Sequence, residues 1–218
     1  MPSSSSSEPF SIWRFIIAAF TMRKVDVRPA SCAFIAAVST VFGTLAISYA
    51  KTVAGVDGTT TLWLVVGANL VALGTQPLFG MLADKIGRKP VFIYGAVASA
   101  ALTPVFLLSL ESGSVPLMFL AAIGFFSCGY AASNAVWPSF YAEMFSTKVR
   151  FSGLAIGTQL GFLMAGFAPA IVAAMGGIKP GGWVQISIFT AIICGVAAIS
   201  ALTAKETFKV PTKQLGLK

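Results

Sequence analysis

The chain has 218 residues, of which 56% are hydrophobic and 10% are charged, and its formal net charge is +8. A soluble domain has about 25% charged residues because its surface faces water, so this composition excludes a soluble enzyme, a disordered linker and a nucleic-acid-binding domain. The chain contains no histidine, which excludes histidine-based metal sites and catalytic triads. Cys32, Cys128 and Cys194 lie far apart in apolar runs, which predicts packing residues rather than a disulfide or metal framework.

Six long apolar stretches follow one another along the chain. A helix that crosses the hydrocarbon core of a membrane needs about 20 apolar residues. Stretches of about that length cover residues 30–50, 61–82, 91–110, 115–140, 151–175 and 183–204. They lack the period-2 alternation of barrel strands, and helices satisfy their own backbone groups within lipid. The sequence therefore predicts an all-α membrane protein, with a six-helix transmembrane domain over residues 29–206.

Basic residues predict the orientation of these helices in the lipid bilayer. Thirteen of the 15 lysines and arginines lie in the N-terminal segment, the second and fourth connections and the C-terminal segment. Because cytoplasmic loops retain positive charge, we expect both termini in the cytoplasm, with anionic lipid rather than nucleic acid as the incidental partner. For residues 1–28 the sequence predicts a disordered Ser-rich start, followed by an interfacial helix and cytoplasmic linker. Residues 207–218 predict a basic cytoplasmic tail.

The connection between the second and third predicted spans reads GMLADKIGRKP. A basic loop that follows the positive-inside rule accounts for Arg88 and Lys89, but not for the glycines or the acid. Gly80 suits a close approach of two helices and Gly87 a reversal of the chain, while Asp84 can pair with an arginine or a helix N-terminus. The string resembles the G-x-L-A-D-x-x-G-R-[KR] signature that the major facilitator superfamily carries between its second and third and its eighth and ninth helices.

A second string, PSFYAEMFSTKVRFSG, closes the fourth predicted span and opens the fifth. It is similar to the P-x-x-x-x-E-x-F-x-x-x-x-R-x-S-G stretch after the tenth helix of these carriers. With residues 157–161 it most resembles their metabolite:proton symporter branch. The resemblance implies the C-terminal half of a twelve-helix carrier, which binds its solute near mid-membrane between two six-helix halves. The N-terminal half would then be missing through truncation or be supplied by a second chain.

Polar residues recur on helix faces within the spans and are candidate substrate-lining positions. They are Thr40 and Thr44 on the first span, Asn69 and Gln76 on the second, Tyr130, Asn134 and Trp137 on the fourth, and Gln159 on the fifth. Ordinary hydrogen bonds, between helices or within one helix, remain the alternative. The group on the fourth span places two aromatic rings around an amide, which suits an organic solute. Gly153, Gly157 and Gly161 form a small-residue stripe that predicts close helix packing.

The family resemblance also implies a cytoplasmic gate at the charged connections. Its residues would be Gly80, Asp84, Gly87, Arg88 and Lys89 of the signature, together with Glu143 and Arg150. The two acids and two arginines would latch the outward-facing state. Ionisable groups at membrane depth are costly and usually functional, and the predicted spans contain them only near their ends. A proton-coupling acid would therefore lie in the other half, unless Glu143 or Asp84 serves.

The leading hypothesis is half of a secondary active transporter in the cell (inner) membrane. It would move a small organic solute, such as an organic acid or a betaine, together with a proton by alternating access. The rival hypothesis is a truncated or non-transporting integral membrane protein that acts as a remnant or an interaction subunit. No enzyme and no cofactor are expected, because the sequence contains no nucleophile–base pair, metal-ligand cluster or phosphate-binding loop.

Overall fold

Most of the apolar part of the chain is helical. The computed structural model describes residues 32–144 and 150–204. The elements are α1 (Ala36–Thr40), the π-helical segment π1 (Val41–Leu45), α2 (Ala46–Thr52), α3 (Gly58–Ile86), α4 (Arg88–Glu111), α5 (Val115–Gly124), the π-helical segment π2 (Phe125–Tyr130), α6 (Ala131–Met144), α7 (Arg150–Ala174) and α8 (Trp183–Thr203). These ranges contain no strand, and the all-α prediction is confirmed. The predicted start 1–28 and tail 207–218 lie outside the described residues.

Five helices are long and apolar enough to cross a membrane, namely α3, α4, the continuous run Val115–Met144, α7 and α8. They correspond to five of the six predicted spans. The first span, predicted over residues 30–50, consists of pieces of 5, 5 and 7 residues from α1 through π1 to α2. Its described part is shorter than the other five helices, and within it π1 departs from the α-helical hydrogen-bonding pattern. The count of six holds only approximately.

Single residues explain where α3 begins and ends. The Asp57 carboxylate accepts a hydrogen bond from the backbone N–H of Thr59 at 2.9 Å and so caps the first turn. Gly87 has a φ of 101°, which glycine adopts at no steric cost. It ends α3, and α4 begins at the next residue. Consequently α3 extends beyond the predicted span at both ends, and most of the signature string lies in helical backbone rather than in a loop.

The central helix of the bundle is α4, which packs against α8, π2 and α6. Stacked rings join it to both π segments. Phe42 of π1 lies 5.1 Å from Phe106 of α4 and 5.5 Å from Phe125 of π2, measured between ring centroids. Each such pair contributes about 0.5–1.5 kcal/mol beyond the area it buries. The two π segments therefore meet within the core, midway along the first and fourth spans.

Successive helices run up and down, so that their ends gather at two faces of the bundle. Arg88 at the start of α4 contacts Glu143 near the end of α6; we call this face the Arg88 end. On the opposite face, Tyr49 of α2 donates a hydrogen bond to Glu111 at the end of α4; we call this face the Glu111 end. The alternation is the one predicted for consecutive membrane spans.

The small-residue stripe of α7 is buried, and one of its members touches the first span. Gly153, Gly157 and Gly161 are all buried. A Cβ on Gly161 would lie 2.4 Å from the Cβ of Ala33. Because that separation is far shorter than a normal carbon–carbon contact, a glycine is required for this approach.

Large apolar side chains cover the outer surface of the bundle. On α3 they include Leu70 and Leu73, and on α7 they include Phe151 and Phe167, each more than half exposed. Soluble monomers rarely expose apolar patches of this extent, whereas lipid or another apolar helix accommodates them. Together with the five helices of spanning length, this surface identifies an integral membrane protein.

Candidate functional site

A cavity of about 70 Å³ opens between the first span, the fourth span and α7. Its lining residues are Ala33, Ile35, Ala36, Tyr130, Asn134, Trp137, Tyr141, Thr158 and Phe162. The structure thus brings together the three polar residues predicted on the fourth span. Every lining side chain is uncharged at neutral pH. The cavity therefore offers aromatic faces and neutral hydrogen-bonding groups to a small molecule.

The spacing of residues on the fourth span explains this wall of the cavity. Tyr130, Asn134, Trp137 and Tyr141 follow one another at intervals of four, three and four residues, which places them on one helix face. Aromatic contacts hold the rings in place. Phe126 packs on Tyr130 with 5.1 Å between ring centroids, and Trp137 meets Tyr141 edge-on at 5.6 Å. The Asn134 amide therefore lies between ordered rings.

The sequence analysis missed Tyr141. Its side chain is 1% exposed, and its hydroxyl finds no hydrogen-bond partner in the part of the chain that the structure describes. The signal was present, because Tyr141 continues the helical spacing of the other three residues. Tyr141 was instead treated as part of the second family string, and its position on the cavity face of the helix was therefore overlooked.

The other five predicted lining residues are not among the residues around this cavity. Thr44, Asn69 and Gln159 are exposed, whereas Thr40 and Gln76 are partly buried. The Asn69 amide donates to the backbone carbonyl of Val65, one turn earlier, at 2.8 Å. This is the ordinary bond within one helix that was the alternative for such residues. On α7 the neighbour of Gln159, Thr158, lines the cavity instead.

An ion pair between Arg88 and Glu143 joins α4 to α6 at the Arg88 end. The two side chains are 25% and 15% exposed, so water screens the pair only in part. Each charge opposes the dipole of its own helix, because Arg88 begins α4 and Glu143 lies in the last turn of α6. Favourable interaction with the helix dipoles therefore does not explain why these charged residues stand at these helix ends. Their attraction to each other does.

Lys89, predicted as a gate residue, contacts a different helix. Its ammonium donates to the backbone carbonyls of Leu202 at 2.7 Å and Ala204 at 2.9 Å. These carbonyls lie at the C-terminal end of α8, where the helix dipole favours a cation. Lys89 therefore ties the start of α4 to the end of α8.

The remaining charged gate residues lie at the end of α3 and at the start of α7. Asp84 is exposed on the last turn of α3 and forms no salt bridge within the described ranges. Arg150 begins α7, and its buried Nε and Nη2 atoms find no hydrogen-bond partner among the residues described. The predicted close helix approach at Gly80 is wrong, since a Cβ there would meet no heavy atom within 4 Å. The reason is that α3 lies at the outside of the bundle at this point.

The Glu111 end carries a separate set of polar contacts. The Tyr49 hydroxyl donates to the Glu111 carboxylate and thereby ties the first span to α4. In the connection before α3, the backbone N–H groups of Thr59 and Thr60 lower the pKa of the Asp57 carboxyl by hydrogen bonding. Polar ties thus hold both ends of the bundle, while the cavity lies between them.

Comparisons with known proteins give a family and a set of relatives. The family described as Major Facilitator Superfamily matches residues 29–217. A shikimate transporter of Escherichia coli is 29% identical over 61% of this chain and 31% of its own length. A proline/betaine transporter of Salmonella typhimurium is 28% identical over 69% of this chain and 30% of its own length. A cis,cis-muconate transport protein of Acinetobacter baylyi is 30% identical over 65% of this chain and 33% of its own length.

The chain spans about a third of the length of these relatives. No solved structure matches it.

Proposed function

This chain belongs to the major facilitator superfamily, and from that premise we propose that it forms half of a secondary active transporter for a small organic solute. Relatives named for shikimate, for proline and betaine, and for cis,cis-muconate support an organic acid, a betaine or a similar solute. The observation that carries the proposal is the uncharged, aromatic cavity around Tyr130, Asn134 and Trp137. Transport rather than enzymatic catalysis is the activity of these relatives.

A second six-helix half would complete the solute site. The matched relatives are about three times as long as the region they share with this chain. The long apolar face of α3, with Leu70 and Leu73 exposed, suits either lipid or a neighbouring helix. The second string, which contains Glu143 and Arg150, favours the C-terminal half of the carrier for this chain. Its partner would then be an N-terminal half, either in the same polypeptide or in a second chain, and the solute would bind between the two.

The cytoplasmic gate would lie at the Arg88 end. Glu143 of the ion pair with Arg88 lies two residues after Tyr141, the last cavity residue of α6. Asp84, at the exposed end of α3, and Arg150, at the start of α7, would complete a latch that forms in the outward-facing state. In this proposal both termini are cytoplasmic, in the inner membrane, in agreement with the distribution of lysines and arginines.

Proton coupling would depend on the other half. Glu143 is engaged by Arg88, and Asp84 is exposed in the last turn of α3 and is not among the described cavity residues. A coupling acid must change its protonation state during the cycle and sense the solute site. Since the described cavity lining contains no carboxylate, we place that acid in the partner half.

Uptake into membrane vesicles tests the proposal. The adjoining upstream coding sequence is expected to encode six further spans with their own signature, and it supplies the partner half. Vesicles would contain this chain alone, the partner alone or both, with radiolabelled shikimate, proline, betaine and cis,cis-muconate as probes. Uptake driven by a proton gradient is expected only with both halves. Uptake by the chain alone would overturn the half-carrier proposal, and no uptake with both halves inserted would favour the non-transporting alternative.

The Asp84→Asn variant tests the latch in the same vesicles. The substitution removes the charge and keeps the size of an exposed side chain, so insertion and folding should be unchanged. Uptake should fall, because the latch of the outward-facing state would lose an ionic partner. Uptake at the wild-type rate would show that Asp84 has no part in the gate.

A further inference from the structure

Tyr141 combines features that are unfavourable in a protein interior without a ligand. Its side chain is 1% exposed, and its hydroxyl finds no hydrogen-bond partner within residues 32–144 and 150–204. A buried hydroxyl without a partner lowers stability, and native structures contain few of them. A phenylalanine would fill the same space without this cost. A solute bound in the adjoining cavity would supply the partner that residues 32–144 and 150–204 do not.

The other three tyrosines of the chain do not share this situation. Tyr49 is equally buried but donates to Glu111. Tyr94 is 50% exposed on the outside of α4. Tyr130 lines the cavity with its side chain beside Ser39. Among the four tyrosines, Tyr141 is thus the one whose buried hydroxyl lacks a hydrogen-bond partner within the described residues.

The position of Tyr141 indicates what that partner is. Tyr141 lines the same cavity as Asn134 and Trp137, at the end nearest the Arg88–Glu143 ion pair. It lies eleven residues after Tyr130, so the cavity face extends about 16 Å along the helix axis. A molecule that passes from the middle of the bundle to the Arg88 end would move along this face.

The chemistry of the cavity favours an anionic acceptor on that molecule. The Tyr141 hydroxyl, the indole N–H of Trp137 and the amide N–H groups of Asn134 are all donors. None of the lining residues that the structure describes has a cationic side chain. A carboxylate is the strongest acceptor that a small organic solute commonly carries, and hydrogen bonds to charged acceptors are about twice as strong as neutral ones.

We propose that Tyr141 is a specificity-determining residue that donates its hydroxyl to a carboxylate oxygen of the transported solute at the Arg88 end of the cavity. This inference rests on the proposed function and names the residue that would bind the carboxylate of such a solute. It also explains the cost of burying the hydroxyl, since the solute satisfies it in the bound state.

The Tyr141→Phe substitution separates this role from a structural one. It keeps the ring contacts with Trp137 and with Phe92, whose centroid lies 6.1 Å away, and removes only the hydroxyl. Because that hydroxyl has no hydrogen-bond partner among the described residues, the thermal unfolding midpoint should stay the same or rise. Loss of a hydrogen bond to a charged group should weaken solute binding roughly tenfold to a hundredfold.

Solute binding can be measured as a rise in the unfolding midpoint, which grows with the ratio of solute concentration to the dissociation constant. The full chain with its partner half, in detergent, would be titrated with shikimate, with proline and with prolinamide, which lacks the carboxylate. The wild-type protein should bind proline more tightly than prolinamide. The Tyr141→Phe protein should bind both equally weakly.

Two further Tyr→Phe variants provide matched controls. Tyr94→Phe removes a hydroxyl outside the cavity and should change neither stability nor affinity. Tyr49→Phe removes a hydroxyl that is bonded to Glu111 and should lower the midpoint, which shows that the assay detects a lost structural bond.

Three outcomes would contradict the inference in different ways. A Tyr141→Phe protein with wild-type affinity for proline and shikimate would overturn the role of Tyr141 while leaving carboxylate transport intact. A Tyr141→Phe midpoint lowered as far as that of Tyr49→Phe would assign Tyr141 a structural bond instead. A wild-type protein that binds neither carboxylate would overturn the proposed class of solute together with this inference.

Discussion

A crossing of two helices by reciprocal glycine–serine contacts leads to a quantitative prediction. A Cβ on Gly95 of α4 would lie 2.3 Å from the Oγ and 2.5 Å from the backbone nitrogen of Ser133 on α6. In the opposite direction, a Cβ on Gly129 of π2 would lie 2.9 Å from the Oγ of Ser99 on α4. Gly129 and Ser133 each precede a cavity residue, Tyr130 and Asn134. We therefore expect Gly95→Ala to disturb both the bundle and the cavity wall.

The magnitude follows from these distances. Ordinary van der Waals contact begins near 3.4 Å, so α4 and α6 would have to separate by roughly 1 Å. The Ser133 side chain could rotate away from the new methyl group, but its backbone nitrogen could not. Overpacking of this kind costs about 1–3 kcal/mol, and a rigid backbone obstacle places it at the upper limit. Alanine recovers up to about 1 kcal/mol as the better helix former, which leaves a net loss of about 2 kcal/mol.

Gly124→Ala is the matched control, since a Cβ there would meet no heavy atom within 4 Å. It lies on the same span as Ser133, one turn before the middle of π2, and should be neutral or stabilising by up to about 1 kcal/mol. The two variants should thus differ by about 2–3 kcal/mol in the free energy of unfolding. Unfolding in detergent micelles with added SDS, followed by circular dichroism, measures this difference. Equal stability of the two variants would refute the proposed close crossing.

Three further predictions concern the ends of the bundle. Lys89→Met should lower the free energy of unfolding by about 1 kcal/mol, because two carbonyls at the end of α8 lose their donor. Lys89→Arg, which keeps a cationic donor, should recover part of this free energy. Denaturant unfolding measures the stability of both variants. Backbone N–H groups lower the pKa of Asp57 below its usual 3.8. The charged carboxylate therefore stabilises the start of α3 fully at pH values above 3.8. This stabilisation is lost as the pH falls through the lowered pKa. Asp57→Asn should therefore flatten the acid limb of a plot of unfolding midpoint against pH, and an unchanged limb would contradict the cap. Arg88→Glu should impair uptake, and adding Glu143→Arg should restore it in part if the ion pair rather than either charge matters.

Much of the fold could be predicted from the sequence because membrane-spanning helices depend on local composition. Length and hydropathy alone located α3, α4, α7 and α8. The π-helical segment of the first span could not be predicted in this way, since its VFGTL stretch contains no proline and no charged residue. Its π-helical form coincides with the contact of Phe42 with Phe106 and Phe125. That contact joins residues more than sixty positions apart, which no local pattern reveals.

The candidate site shows the same division between local and distant information. Helical spacing was sufficient to group Tyr130, Asn134 and Trp137, and it would also have included Tyr141. Spacing could not show that Lys89 reaches the end of α8, because the contact spans more than a hundred residues. It also could not show that Gly95 is a crossing point, since a single glycine in an apolar run carries no partner information.

The two walls of the cavity are held by contacts with different helices. The fourth span, which supplies Tyr130 through Tyr141, is fixed to α4 by the Arg88–Glu143 ion pair and by the glycine–serine crossing. The opposite wall consists of the start of the first span and part of α7. These two helices contact each other at Ala33 and Gly161. The first span stacks on α4 at Phe42 of π1 and bonds to it beyond π1 through Tyr49. At its start, the Cys32 thiol donates to the backbone carbonyl of Ala197 on α8 at 3.8 Å. The Ala33 wall is therefore held by α7 through close packing and by α8 through this bond, whereas the fourth span is held by α4.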